Sequence, residues 1–175
     1  MRRLGVYGLV LLLAACAANT GYRDRDVEMT SMAVFDPSRY LGTWYEIARF
    51  PVSFQKGCSD VRAIYGDDGA GGLTVRNTCL RNGEMTTIDG TADIVGPGRL
   101  KVRLGGVPFA ADYWVLWVDE GYRTAVVGVP SGRAGWILNR DPEIPADRLD
   151  AARSVLDFNG YDLGRLQRTA HGGSE

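Results

Sequence analysis

The sequence predicts an all-β fold, an antiparallel sandwich or barrel with one helix packed on its outside. Three observations carry this. From Tyr40 onward, eight short runs rich in β-branched and aromatic residues recur about every ten residues, a spacing typical of antiparallel all-β domains. The segments between runs read DDGAGG, RNGE, GPG, GGVPFAA, DEG and PSGRAG, and each offers the Gly, Asn, Asp or Pro that tight turns use. One later stretch carries an apolar stripe at helical spacing. The 175 residues contain no internal repeat and suit one domain once a leader is set aside.

The leader reads MRRLGVYGLVLLLAAC. Arg2 and Arg3 precede an apolar stretch, residues 4–13, that is too short to span a bilayer, which needs about 20 residues. This fits a secretory signal peptide, and Leu13-Ala14-Ala15-Cys16 narrows it to a lipoprotein signal because the tetrapeptide resembles a lipobox. Cys16 would then carry the lipid and become the first residue of the mature chain. One acyl chain binds a membrane marginally and several bind it durably. Position 17 is Ala rather than Asp, which by resemblance to enteric sorting directs the protein to the outer membrane. Residues 17–34 are polar and aperiodic and are expected to form a flexible tether. The expected layout is a signal peptide over 1–15, a lipidated tether over 16–34, a barrel with its helix over 35–169 and a disordered tail over 170–175.

The predicted strands are 43–50, 58–66, 73–80, 84–95, 99–105, 112–119, 122–129 and 134–140. In the fourth, Ile88, Gly90, Ala92 and Ile94 share one face, and the two small residues leave room beside it. In the fifth, Leu100, Val102 and Leu104 oppose Lys101 and Arg103. Val61, Ala63 and Tyr65 share a face of the second run, as do Leu73, Val75 and Asn77 in the third. The sixth run, DYWVLWVD, is apolar on both faces and must be covered on both. Either Tyr113, Val115 and Trp117 point inward or Trp114, Leu116 and Val118 do; the first set is preferred. Pro145 can open a helix with a stripe of Leu149, Ala152, Val155 and Leu156, and Gly160 follows its end. A last extended piece covers 162–168.

Gly42-Thr43-Trp44-Tyr45-Glu46-Ile47-Ala48-Arg49 resembles the first lipocalin motif, G-x-W-Y. The segment 119–125, DEGYRTA, is similar to the second, and Trp136-Ile137-Leu138-Asn139-Arg140 resembles the third. The likeness covers about residues 35–169 and is nearest the bacterial and apolipoprotein D branch. It implies an eight-stranded up-and-down barrel with one end closed. Gly42, Trp44, Asp119, Tyr122, Trp136 and Arg140 would build the closed floor, with Arg140 stacked across Trp44. An interior of that width holds side chains or one small ligand. The expected lining is Tyr65, Val75, Ile88, Gly90 and Ala92, continuing through Val102, Leu104, Tyr113, Val115 and Trp117. Phe50, Phe54 and Phe109 fall in loops that should border the open mouth, where they would meet an entering acyl chain or a membrane, or fold back as a lid.

Cys58 and Cys79 flank the 59–78 hairpin almost symmetrically and, in an exported chain, are expected to pair. Regular alternation puts Cys79 but not Cys58 on the shared face, so a bulge or an irregular Cys58 is required. A near-neutral chain lacks the basic surface that nucleic acid needs. The single His, His171, lies in the tail, a poor place for a zinc site or a catalytic triad. Glu46 would face inward on the parity of Trp44 and Ala48. No catalytic residue, cofactor or metal is implied; the expected partners are a fatty acid, lysophospholipid or similar hydrophobic molecule, and the membrane through the lipid anchor. Cys16→Ser is expected to move the protein from the membrane pellet to the soluble fraction while circular dichroism stays that of a folded β protein. Membrane retention of the mutant would refute the lipobox.

Overall fold

The computed structural model describes residues 21–172, so the leader and Cys16 lie outside the described residues. Strands β1 (Gly42–Arg49), β2 (Ser59–Asp67), β3 (Leu73–Arg81), β4 (Glu84–Gly96), β5 (Arg99–Leu104), β6 (Ala111–Val118), β7 (Thr124–Gly128) and β8 (Gly135–Asn139) run antiparallel to their neighbours. β8 pairs with β1 and β1 with β2, which closes the eight-stranded barrel. A two-residue strand β9 (Gln167–Arg168) adds to the end of β1. A short helix α1 (Pro37–Tyr40) precedes the barrel, and α2 (Ala146–Phe158) packs outside β6 and β7. The strand ends fall within a few residues of the predicted ones because the turn chemistry marks them. At the β3–β4 hairpin, Asn82 and Gly83 both take positive φ, as an Asn-Gly turn between twisted strands requires.

Two apolar layers form. Inside the barrel lie Tyr40, Trp44, Tyr65, Leu73, Val75, Ala92, Leu100, Val115 and their neighbours. Outside it, Ile47, Phe50, Leu116, Val126 and Ile137 meet Ala152, Leu156 and Tyr161 beneath α2 and the chain beyond it. The predicted stripe of α2 faces this second layer, with Leu149 and Val155 at its edge.

Register breaks in β1, β2 and β6 decide which side chains point inward along those strands. The break between Val115 and Trp117 in β6 lets Tyr113 and Val115 face inward and then reverses the alternation, so Val118 returns to the inner layer. Trp114, Leu116 and Trp117 all pack in the outer layer. Trp117 therefore does not line the interior, contrary to simple alternation. A second break, between Glu46 and Ala48 in β1, turns Ala48 outward. The third lies between Ser59 and Arg62 in β2, where Asp60 takes φ +47°. It supplies the irregularity that the cysteines need: Cys58 precedes the strand and is bonded to Cys79, with Cα atoms 5.4 Å apart.

Residues 21–34 do not form a loose tether. Tyr22 N–H donates to Gly132 O at 2.6 Å, Asp24 N–H to Gly160 O at 2.8 Å and Met32 N–H to Val115 O at 2.9 Å. Arg23 is buried and donates to Asn159 O at 2.7 Å, and Met29 joins the outer layer. The polar composition of this segment satisfies loop carbonyls rather than solvating a linker. The tail is also held as far as it is described. Thr169 N–H donates to Ile47 O at 3.0 Å on β1, and Asp60 N–H to Ala170 O at 2.9 Å. His171 Nε2 lies 2.7 Å from Glu46 O, and Gly172 N–H donates to Asp60 Oδ1 at 2.9 Å. The β2 bulge leaves backbone groups of β1 and β2 unpaired near the mouth, and the tail supplies their partners.

At the closed end, the Arg140 guanidinium carbon stands 3.8 Å from the centroid of the Trp44 ring. The same group donates to Thr43 O at 2.9 Å, Arg39 O at 2.8 Å and Tyr122 O at 3.2 Å. Trp44 Nε1–H donates to Tyr40 O at 2.8 Å. Asp119 caps the β6–β7 turn through the Thr124 amide at 2.7 Å and Arg123 Nε at 2.8 Å. Burial works to raise the Asp119 pKa, but the amides and Arg123 outweigh it and hold the carboxyl below its ordinary value. Gly42 and Tyr122 both adopt positive φ here. Trp136, expected in this floor, instead sits toward the mouth with its Nε1–H on Gln55 Oε1 at 3.1 Å, because it lies at the start of β8, next to Gly135, whereas Arg140 follows the end of the strand.

Trp44→Ala is expected to cost about 3–5 kcal/mol in urea unfolding, as for buried aromatics generally. Arg140→Lys keeps the charge but loses the planar fork and at least one carbonyl, and should cost about 1–3 kcal/mol. The double mutant should cost less than the two combined; strict additivity would rule out the stacking.

Candidate ligand-binding site

A cavity of about 810 Å³ occupies the upper barrel, within the usual range for small-molecule sites. It opens between the β1–β2, β5–β6 and β7–β8 loops, represented in its wall by Phe54, Val107 and Arg133. Val61, Ala63, Val75, Val102, Leu104 and Leu138 make its apolar wall, with Asn77 among them, Trp136 toward the mouth and Tyr65 and Tyr113 toward the base. Phe54 and Phe109 stand at the rim, 48 % and 67 % exposed, so neither folds back as a buried lid.

The base is aromatic. Tyr40 packs on Trp44 with centroids 4.8 Å apart and on Tyr65 at 5.1 Å; Tyr113 stacks on Trp136 at 6.4 Å. Three phenols meet there: Tyr113 Oη lies 2.9 Å from Tyr40 Oη and 2.7 Å from Tyr65 Oη. Burial pushes the Tyr65 pKa up to about 12, and it raises Tyr40 and Tyr113 well above the ordinary phenol value, so all three stay neutral and able to donate near pH 7.

Glu46 does face the interior, but it is committed. Its carboxylate accepts from Arg49 Nη1, Gln55 Nε2 and Thr169 Oγ1, each at 2.6 Å. A buried charge held by a cation and two further donors serves structure and braces the β1–β2 loop against the tail.

The structure brings Phe54, Tyr65, Val75, Ile88, Val102, Leu104, Phe109 and Tyr113 to the cavity wall. Ala92 and Val115 point inward but are fully buried in the packed layer with Leu73 and Leu100. Gly90 adds no space for a ligand. A Cβ there would lie 2.1 Å from Arg103 O, so its missing side chain admits the backbone of β5. Phe50 lies outside the wall, fully buried between Tyr22 and Tyr161, and Trp117 is outside as described.

The lipocalin-like domain model matches residues 35–171. The chain belongs to the lipocalins. It is 37 % identical over 160 residues to outer membrane lipoprotein Blc of Escherichia coli, covering 89 % of this chain and 88 % of that one. It is 33 % identical over 178 residues to apolipoprotein D of Macaca fascicularis, covering 92 % and 94 %. Temperature-induced lipocalin-1 of Arabidopsis thaliana is 35 % identical over 153 residues, covering 81 % and 82 %. Among solved structures, insecticyanin from the tobacco hornworm Manduca sexta superposes with a TM-score of 0.69 at 20 % identity, over 87 % of this chain and 88 % of its own. Lobster apocrustacyanin A1 does so at 0.67 and 20 %, over 79 % and 81 %. At these identities the structural likeness speaks for the fold.

In this lipocalin, sequence reading missed Trp136, Leu138 and Tyr40 as parts of the interior. Alternation back from Arg140 puts Leu138 and Trp136 on one face, a usable signal. Tyr40 precedes the first strand in α1, where no periodicity applies.

Because the folded barrel keeps phenolic protons that unfolded tyrosine releases near pH 10, stability should be highest below about pH 10 and fall as pH climbs from there toward 12. Ultraviolet titration should show the Tyr40–Tyr65–Tyr113 group ionising together with loss of the near-ultraviolet circular dichroism. Ordinary ionisation of Tyr40, Tyr65 and Tyr113 in a still-folded protein would contradict the buried cluster.

Proposed function

We propose that this lipocalin is an outer-membrane lipoprotein that binds a fatty acid, lysophospholipid or similar hydrophobic molecule in its barrel, for storage, transport or salvage of lipid. The observation that carries the reading is the apolar cavity, closed at the floor by Trp44 and open at the other end. Transfer of about 15 methylenes from water is worth roughly 12 kcal/mol, and association costs of about 4–15 kcal/mol oppose it, so micromolar binding with loose chain selectivity is the natural regime.

The location rests on Cys16 and on relatives named as outer membrane lipoproteins. The first described residues, Gly21 and Tyr22, lie against the β7–β8 loop at the mouth. Gly21 is five positions beyond Cys16, a reach of at most about 18 Å. A lipid on Cys16 therefore keeps the mouth close to the membrane. Binding rather than catalysis is the reading, since the interior carboxylate of Glu46 is fully engaged and Cys58 and Cys79 are paired.

Val102→Trp puts an indole into the cavity from the middle of β5, and Thr91→Trp puts one on the exposed outer face of β4. Val102→Trp should weaken binding of a fluorescent fatty acid by at least about tenfold, while Thr91→Trp leaves it unchanged. If both folded variants bind like the parent, the ligand does not sit in the barrel.

A further inference from the structure

The three phenols at the base of the cavity carry an imbalance of hydrogen-bond donors. Each tyrosine hydroxyl has one proton and can accept two hydrogen bonds. Tyr113 Oη touches Tyr40 Oη at 2.9 Å and Tyr65 Oη at 2.7 Å, and among the described residues the three hydroxyls have no partners beyond one another. Two contacts use two protons, so the third is left to donate elsewhere. Burial assigns it. Tyr40 is fully buried and Tyr65 almost so, whereas Tyr113 is only partly buried and borders the cavity. Donation by Tyr40 and Tyr65 to Tyr113 satisfies both buried protons and turns the Tyr113 proton toward the cavity.

The charge of the acceptor also follows. Among the described residues that line the cavity, the cationic side chain is Arg133, on the β7–β8 loop at the mouth. Arg140 lies behind Trp44 with its guanidinium directed at three main-chain carbonyls. A carboxylate pushed to the base would lose its hydration with no counter-charge, which is far costlier than burying a neutral carbonyl that gains one donor.

We propose that the inner end of the cavity is a subsite for a neutral carbonyl oxygen, a ketone, ester or aldehyde on the buried end of a slender lipophile, received by the hydroxyl of Tyr113. The subsite rests on the reading of the barrel as a lipophile-binding site and narrows its ligand class. An unmodified fatty acid enters methyl end first and leaves the donor unused. A chain oxygenated at its far end engages it.

The test uses the full chain carrying Cys16→Ser and two probes of equal length, n-dodecane and 2-dodecanone labelled with carbon-13 at the carbonyl. Binding is followed by the change in fluorescence of Trp136 in the cavity wall, and the carbonyl is read by isotope-edited infrared spectroscopy. The bound ketone should absorb at lower wavenumber than the same ketone in hydrocarbon. Tyr65→Phe/Tyr113→Phe, which removes both cavity-lining hydroxyls, should weaken the ketone about tenfold, the usual worth of one net hydrogen bond, and leave dodecane unchanged. Tyr65→Phe alone still leaves one surplus proton and should retain both the shift and the affinity. If both probes bind the parent but the carbonyl band sits at its hydrocarbon position, the subsite is wrong and the lipophile reading stands. That band decides the matter even if the double variant does not fold. If neither probe binds the parent, the lipophile reading fails, and the subsite with it.

Discussion

The barrel depends on Arg140 lying across the Trp44 indole. A closed sheet has two open ends, and a cavity exists only if one is sealed without filling the interior. Trp44 seals it with a flat ring, and Arg140 holds that ring from below while tying Thr43, Arg39 and Tyr122 to one cation. The stacking is worth about 0.5–2 kcal/mol. Its larger effect is geometric: the stretch Arg39–Thr43 and the distant Tyr122 share one guanidinium, so the floor is held as a unit. The tyrosine cluster stands on this platform through the Tyr40–Trp44 contact, and the cavity begins above it.

Much of this was legible in the sequence. Turn residues and alternation located all eight strands, the outer helix and most of the wall, and the motifs located the Trp44–Arg140 pair. One group of failures falls where the period of two breaks. The breaks in β1, β2 and β6 each insert one residue and reverse the faces beyond it, and no local feature of DYWVLWVD announces where that happens. Trp117 was misplaced for this reason. The conflict in parity at Cys58, by contrast, did point to a bulge, because a disulfide is a distance constraint that alternation alone could not satisfy.

Other misreadings came from treating polar composition as solvation. Residues 21–34 and 170–172 look like linker and tail, yet their amides, carbonyls and side chains answer groups left open by the barrel's irregularities. Gly90 shows the converse error. A small residue facing inward can mean space for a ligand, or it can mean that another backbone already occupies that space, and here the carbonyl of Arg103 does. Sequence alone does not separate the two.

The seam between β1 and β2 has a further consequence for shape. Near the floor, Gly42–Tyr45 pair directly with Arg62–Tyr65. Toward the mouth, β9 takes the edge of β1 at Ala48 and Arg49, and Ala170 accepts from Asp60 of β2. The wall is thus eight strands around at the bottom and gains a ninth chain segment at the top. Since the girth of a barrel grows with the number of strands, the vessel is a funnel rather than a cylinder, flared on one side by its own C-terminus.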